Sequence, residues 1–448
     1  MGWNDTPRGN RLHIGIYGKR NSGKSSLING LTGQDTALVS DTPGTTTDPV
    51  FKAMELHPIG PVVFIDTAGF DDEGKLGALR TERTAQVLEK TDIALLVLDG
   101  SALTEPWRRG EPLPALLQQE ESWRRNLAEK EIPVIAAVNK WDLLAEGPLS
   151  ESEPEQQGAP SKPEQERLLS GREQERFLSD LSAALGDVPV IPVSGLKRSG
   201  LERLRRQLEA MVPEDYLRAR ILGNLVKEGD LVLLVMPQDI QAPKGRLILP
   251  QVQTLRELLD GRCTAVAATE DGLERALAQL RRAPDLIVTD SQCFASVYAK
   301  KPAESALTSF SVLFAAYKGD LDVFLNGASS LDDMTEKSRV LIAEACTHVP
   351  LSEDIGREKI PGLLRRRFGE DMEIVHVCGD DFPDPEGLRA FDLVIHCGAC
   401  MFNRKHVMSR IAAAEAAGVP MTNYGVILAK LAGILEKITL PAGSVRKE

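Results

Sequence analysis

No uninterrupted apolar stretch in this 448-residue chain approaches the roughly 20 residues of a membrane span. No basic, then apolar, then small-residue leader pattern opens it either, so a cytoplasmic protein with no membrane partner is expected. Positive charge is also short. Lys and Arg number 53 against 65 Asp and Glu, and the net charge of −12 gives bulk electrostatics no part in non-specific binding to nucleic acid. The C-terminal half carries no basic patch interleaved with aromatic residues, so no nucleic-acid partner is expected. Cysteine is sparse. Six in a long cytosolic chain suit thiols, metal ligands or buried small residues better than a disulfide framework. What is present, 42% hydrophobic and 26% charged residues, is the profile of a globular chain long enough for two or three domains.

The first chemistry appears in "RLHIGIYGKRNSGKSSLINGLTG", an apolar run that turns through glycines into a helical pattern. Gly18, Gly23, Lys24 and Ser25 fit G-x-x-x-x-G-K-[ST] in the strand–loop–helix setting that pattern requires. Glycines let backbone N–H groups close around phosphate oxygens, Lys24 reaches the β- and γ-phosphates, and Ser25 offers a hydroxyl to Mg²⁺. The phosphate-binding set therefore runs through Gly18, Asn21, Ser22, Gly23, Lys24, Ser25 and Ser26.

Three further runs end in polar corners. "VVFIDTAGF" places Asp66 to hold Mg²⁺ through water and the Gly69 N–H to meet the γ-phosphate. "PVIAAVNKWDLL" ends in Asn139, Lys140, Trp141 and Asp142. A carboxylate at Asp142 accepts guanine N1–H and N2–H₂, donors that adenine lacks, and a site built for such groups discriminates by roughly 10⁴-fold. "PVIPVSGLKRSG" supplies Ser194 and Gly195 as base-contacting backbone. The Thr-rich "DTPGTTTDP" suits a switch loop in which Thr46 completes the Mg²⁺ coordination. The nucleotide is expected to be GTP, with Lys24, Thr46, Asp66 and Gly69 as the catalytic set. These strands alternate with helical patterns, so a doubly wound α/β sheet is expected over residues 1–213. Residues 145–176, rich in Glu, Gln, Pro and Ser, read as a solvated, partly helical insertion without chemistry.

Residues 216–304 alternate strand and helix again, as a small α/β module whose role is packing or self-association. Lys244 and Arg246 read as solvated loop charges, and Cys263 and Cys293 as buried thiols. From residue 305 onward the chain carries metal-like signals: Cys346-x-His348, then, after residues 349–395, His396-Cys397-Gly398-Ala399-Cys400. Cys397 and Cys400 fall at a strand-to-helix turn, where a helix N-terminus favours thiolate. His376 and Cys378 lie on another apolar run and read as core. Spacing alone leaves three readings open. One is a structural zinc site from Cys346, Cys397, Cys400 and His348 or His396; the others are a dithiol redox pair and an iron–sulfur cluster on three thiolates. A bare C-x-x-C favours zinc.

The five N-terminal elements, in this order, resemble the G1 to G5 motifs of the TrmE–Era class of GTPases over about residues 10–212. The resemblance implies that Asn21 ligates K⁺ beside the phosphates. Phe70 stands where Ras-like enzymes place a water-orienting glutamine, so hydrolysis is expected to be slow and to depend on K⁺, a partner or dimerisation. Joined to C-x-H…H-C-x-x-C, the whole chain resembles the HydF family, the GTPase maturation factors of [FeFe]-hydrogenases. That resemblance implies a P-loop GTPase domain, a small α/β dimerisation domain and a C-terminal Rossmann-like α/β cluster-binding domain in a homodimer. It implies a [4Fe–4S] cluster on Cys346, Cys397 and Cys400, with one iron left to an exchangeable ligand and His348 or His396 as fourth ligand or supporting residue. It further implies a carrier for a transient diiron subcluster precursor made with the radical-SAM maturases HydE and HydG and passed to the apo-hydrogenase HydA. A ribosome- or RNA-associated GTPase with a zinc-stabilised C-terminal domain is the alternative.

Overall fold

The computed structural model describes residues 8–32, 50–66, 87–145, 168–214, 216, 220–237, 247–345 and 354–441. They fall into two compact units, Met1–Leu217 and Arg218–Glu448.

The first unit is built on a six-stranded sheet. Its strands are β1 (Leu12–Tyr17), β2 (Val50–Leu56), β3 (Gly60–Asp66), β4 (Ile93–Asp99), β5 (Val134–Asn139) and β6 (Val190–Pro192), in the order β2-β3-β1-β4-β5-β6. All neighbours pair in parallel except β2, which runs antiparallel to β3 at the edge. The strands are apolar on both faces because helices cover both. Along β4, Ile93, Leu95 and Val97 enter one buried cluster, while Ala94, Leu96 and Leu98 enter the other. The period of two thus feeds two cores from one strand.

Residues 171–176, grouped with the insertion on composition, begin the helix Gly171–Ala184, whose Phe177 and Leu181 are buried. Ser170 and Glu173 close a capping box at its start, which satisfies two helix-terminal donors. The polar face of this helix is similar in composition to the residues before it, and the cap is the signal that separates them. Residues 146–167 of that stretch lie outside the described residues.

The second unit contains two four-stranded parallel sheets. One has β7 (Leu231–Val235), β8 (Thr264–Ala268), β9 (Leu286–Thr289) and β10 (Ala306–Ser309) in the order β10-β9-β7-β8. The other has β11 (Arg339–Glu344), β12 (Glu373–Cys378), β13 (Leu393–His396) and β14 (Met421–Asn423) in the order β12-β11-β13-β14. The strand that follows residue 305, β10, pairs with β9 and belongs to the first of these sheets. One apolar cluster runs through both, from Leu233 and Ile287 to Leu341 and Ile395. Cys263 and Cys293 are buried thiols, and burial pushes the Cys293 thiol up to about 12 with help from the Glu270 carboxylate beside it.

The helix Leu321–Ser329 lies against β14 at Gly327, where an added Cβ would overlap the Met421 carbonyl oxygen. By contrast, a Cβ on Gly362 in the helix Ile360–Phe368 would meet nothing within 4 Å. Gly327→Ala is therefore expected to cost the second unit about 1–3 kcal/mol through overpacking. Gly362→Ala should instead raise its stability by about 0.4–1 kcal/mol through the unfolded chain. Urea unfolding of the two variants checks this; equal midpoints would contradict the close helix–strand approach.

Candidate functional sites

In the first unit, the loop after β1 leads into the helix Lys24–Thr32 where the strand order turns from β1 to β4, the crevice position of an open α/β sheet. The Lys24 ammonium, 8% exposed, donates to the Gly18 carbonyl and, at 2.9 Å, to the Lys19 carbonyl. It is thereby held inside the loop that it would serve. Ser22 is buried, and its hydroxyl has no partner among the described residues. Ser25, Ser26 and Asn21 are exposed, and Asn21 adopts left-handed backbone (φ 62°), which asparagine tolerates.

Asn139 braces this edge. It ends β5, is 3% exposed, and donates through Nδ2 to the Ser22 carbonyl at 2.9 Å and the Gly23 carbonyl at 3.2 Å. Its Oδ1 accepts from the Gly195 N–H at 3.0 Å. One side chain thus ties the loop after β1 to the turn after β6. Two glycines allow the close approach. A Cβ on Gly23 (φ +87°) would strike Asn139 Nδ2, and one on Gly195 would sit 2.7 Å from the Leu27 nitrogen. The turn holding Asp142 is fixed by the Trp141 N–H to the Val193 carbonyl at 3.1 Å and by Lys140 Nζ to Asp99 Oδ2 at 2.5 Å. Burial pushes the Asp99 carboxyl up, but hydrogen bonds from Lys140 and Ser101 and the Lys140 charge leave it lowered overall. That contribution is present above the usual carboxylate range and is lost as pH falls through the lowered value. Asp66 is buried at the end of β3, and Ser194 is buried at the turn after β6. Thr46, Gly69 and Phe70 lie outside the described residues.

In the second unit the sheet order β12-β11-β13-β14 reverses between β11 and β13. The chain leaves β11 through Glu344 and Ala345, and leaves β13 through His396 and Cys397. The Cys397 N–H continues the ladder to the Ala343 carbonyl at 2.9 Å. Its sulfur receives the N–H of Ala345 at 3.1 Å and of Ala399 at 3.4 Å. Ala399 holds left-handed backbone (φ 53°), a strained state for alanine that costs on the order of 1–2 kcal/mol and turns its N–H toward that sulfur. Cys400 is half-buried, and Asn403 caps the following helix Arg404–Ala417 by accepting the His406 N–H. Burial pushes the Cys397 thiol up to about 11, against the two N–H donors, so thiolate there needs further positive charge.

His396 is 1% exposed and has both ring nitrogens engaged. Nδ1 lies 2.8 Å from the Cys397 carbonyl and Nε2 lies 2.9 Å from Arg410 Nη1. Burial, then the Arg410 charge, lowers its pKa to about 3, so the ring is neutral. Cys378 and His376, read as core from the sequence, are half-buried at the same sheet edge. Cys378 Sγ lies 2.8 Å from Arg357 Nη2 and 3.4 Å from Glu344 Oε2, and His376 Nε2 lies 2.9 Å from the Gly356 carbonyl. Cys346, His348, Lys244 and Arg246 lie outside the described residues. Among the described residues, no group of three or more His, Cys, Asp or Glu side chains could hold a metal ion. Cys397 and Cys400 place two thiols on one strand-to-helix turn, and the Cys397 sulfur is already served by two backbone donors.

Residues 13–140 match a family described as 50S ribosome-binding GTPase. GTPase Der of Wolinella succinogenes is 42% identical over 136 residues, 30% of this chain and 26% of that protein. GTPase Der of Campylobacter concisus is 41% identical over 138 residues, 30% of this chain and 27% of that protein. The chain spans about a quarter of the length of these curated relatives. A probable GTP-binding protein engB of known structure is 23% identical and covers 45% of this chain and 100% of its own, at a TM-score of 0.30. With the phosphate loop and the Asn139–Asp142 corner on one sheet edge, the first unit is a P-loop GTPase domain.

The rest of the chain narrows this. Residues 221–319 match the hydrogen maturase F dimerization domain, and residues 322–441 match the hydrogen maturase F tetramerization domain. The chain belongs to the hydrogen maturase F family. Both of those domains are described as association domains, and the second covers the C-x-x-C turn.

Asn139 is legible in the sequence as part of a base corner, but its bracing of the phosphate loop is not. Asn139→Ala removes the partner of the Ser22 carbonyl and of the Gly195 N–H, while the Gly23 carbonyl keeps the Leu27 N–H, and is expected to destabilise the GTPase unit by about 1–3 kcal/mol. Denaturant titration followed by tryptophan fluorescence measures the loss; an unchanged midpoint would contradict the brace.

Proposed function

We propose that this chain is a GTP-hydrolysing hydrogenase maturation factor that holds a [4Fe–4S] cluster on Cys346, Cys397 and Cys400. The single observation that carries the cluster reading is the position of Cys397. It follows β13 at the point where the sheet reverses against β11, the strand that leads to Cys346. Ligands of open α/β sheets sit at that point, outside the carboxyl ends of the strands. A cluster on three protein thiolates keeps one iron open to an exchangeable group, the property a carrier needs. Its cargo is the diiron subcluster precursor, received in concert with HydE and HydG and passed to apo-HydA. The chain works as a homodimer or a higher assembly in the cytoplasm. Among its described residues, no helix is long and apolar enough to cross a membrane.

For the nucleotide, Lys24 neutralises the β- and γ-phosphates, Ser25, Thr46 and Asp66 hold Mg²⁺, and the Gly69 N–H meets the γ-phosphate. Gly18, Ser22, Gly23 and Ser26 line the phosphates, while Asn139, Lys140, Asp142, Ser194 and Gly195 read guanine. Asn21 faces K⁺. Phe70 gives the attacking water no side-chain partner, so turnover is slow without K⁺ or an associated protein. GTP orders the Thr45–Thr47 loop and so biases a partner-binding surface.

Lys24→Ala or Asp142→Asn should abolish GTP binding or turnover while the iron content after anaerobic reconstitution stays at the wild-type level. Full turnover in either variant would overturn the nucleotide-site assignment. Exchanging K⁺ for Na⁺ should slow hydrolysis, and equal rates in the two salts would remove the role given to Asn21. Cys397→Ser and Cys400→Ser should each lose most of the bound iron with GTP turnover retained; iron retained by both would contradict the ligand set.

A further inference from the structure

Behind the C-x-x-C turn lies a side chain that the sequence does not connect to it. Arg410, 2% exposed on the helix Arg404–Ala417, is flanked by two aromatic rings, with its guanidinium carbon 4.7 Å from the Phe382 centroid and 4.6 Å from that of Phe402. Such stacking fixes the plane of a guanidinium. Its Nη2 donates to the Gly379 carbonyl, just beyond β12, and its Nη1 donates to His396 Nε2 at 2.9 Å. Arginine has only donors, so His396 Nε2 must accept and Nδ1 must carry the ring proton. That proton points to the Cys397 carbonyl, 2.8 Å from Nδ1. The peptide after Cys397 is thereby fixed, and with it the left-handed Ala399 whose N–H reaches the Cys397 sulfur.

Resting on the cluster reading above, we propose that Arg410 and His396 are positioning residues for the C-x-x-C turn: Arg410 sets the tautomer of His396, and His396 pins the Cys397 carbonyl and binds no iron. The imidazole has no nitrogen left for a metal while both contacts stand. This differs from the ligand role that spacing alone allows for His396. A ligating group held by its neighbours in this way resists loss of metal, and removal of such a support typically costs 10–100-fold in affinity.

The test compares the full-length chain with Arg410→Ala, His396→Gln and His396→Asn, each reconstituted anaerobically with iron and sulfide and challenged with an iron chelator. Glutamine keeps an acceptor for Arg410 but loses the Cys397 contact, whereas the asparagine amide falls where Nδ1 lies and keeps it. Expected are about 10–100-fold faster iron loss for Arg410→Ala and His396→Gln, and near wild-type retention for His396→Asn. Pulsed EPR of the reduced wild-type cluster should show no imidazole ¹⁴N coupling that His396→Asn removes. A coupling that disappears in His396→Asn would overturn the proposal, as would wild-type retention in both Arg410→Ala and His396→Gln. Iron loss from His396→Asn as fast as from His396→Gln would overturn the role of the Cys397 carbonyl. A wild-type chain that takes up no cluster would sink the proposed function and this inference together. A wild-type chain that does, beside indistinguishable variants, would sink the inference alone.

Discussion

A parallel sheet delivers all its strands to one edge, and where the strand order reverses, two successive loops must part in opposite directions. The parallel strands of the three sheets among the described residues obey that constraint. In the GTPase unit the parting lies between β1 and β4, and the phosphate loop fills it. In the last sheet it lies between β11 and β13, and Cys397 opens one of the two loops. On the proposed reading, phosphate binding and thiolate ligation use the same geometric opportunity. At the cysteine edge two backbone N–H groups, of Ala345 and Ala399, are turned toward the Cys397 sulfur.

What differs is how the crevice is held in shape. The GTPase edge is braced by an amide: Asn139 meets carbonyls on one loop and an N–H on another, and glycines admit it by giving up their side chains. The cysteine edge is braced by a cation clamped between rings, acting through a neutral histidine. A buried arginine is costly unless its donors are met, and here a histidine nitrogen and a backbone carbonyl meet two of them. The polar groups at both edges are thus spent on holding loops.

The sequence made the GTPase edge readable because its chemistry is local. Gly18 to Ser26, and Asn139 to Asp142, are contiguous runs whose residue types are dictated by phosphate and guanine. The alternation of apolar runs with helical spacing also anticipated the sheets, since strands buried on both faces read as continuous hydrophobic stretches. Long-range supports were hidden. Asn139 reaches residues 116 and 117 positions away, and Arg410 reaches His396 and Gly379 from a helix with no distinguishing pattern. Composition grouped the first residues of the helix Gly171–Ala184 with the partly helical insertion before it, because its polar face matches that stretch and the Ser170–Glu173 cap marks the change. It also assigned Cys378 to the core, whereas that thiol meets Arg357 and Glu344 at the sheet edge.

The central claim is that the reversal point of the last sheet is an iron–sulfur site and not a zinc site. Anaerobic reconstitution of the full chain, with metal and sulfide analysis and EPR of the reduced sample, tests it most directly. The account predicts about four iron and four sulfide per chain with a reduced-cluster signal. About one zinc per chain and no such signal would contradict it.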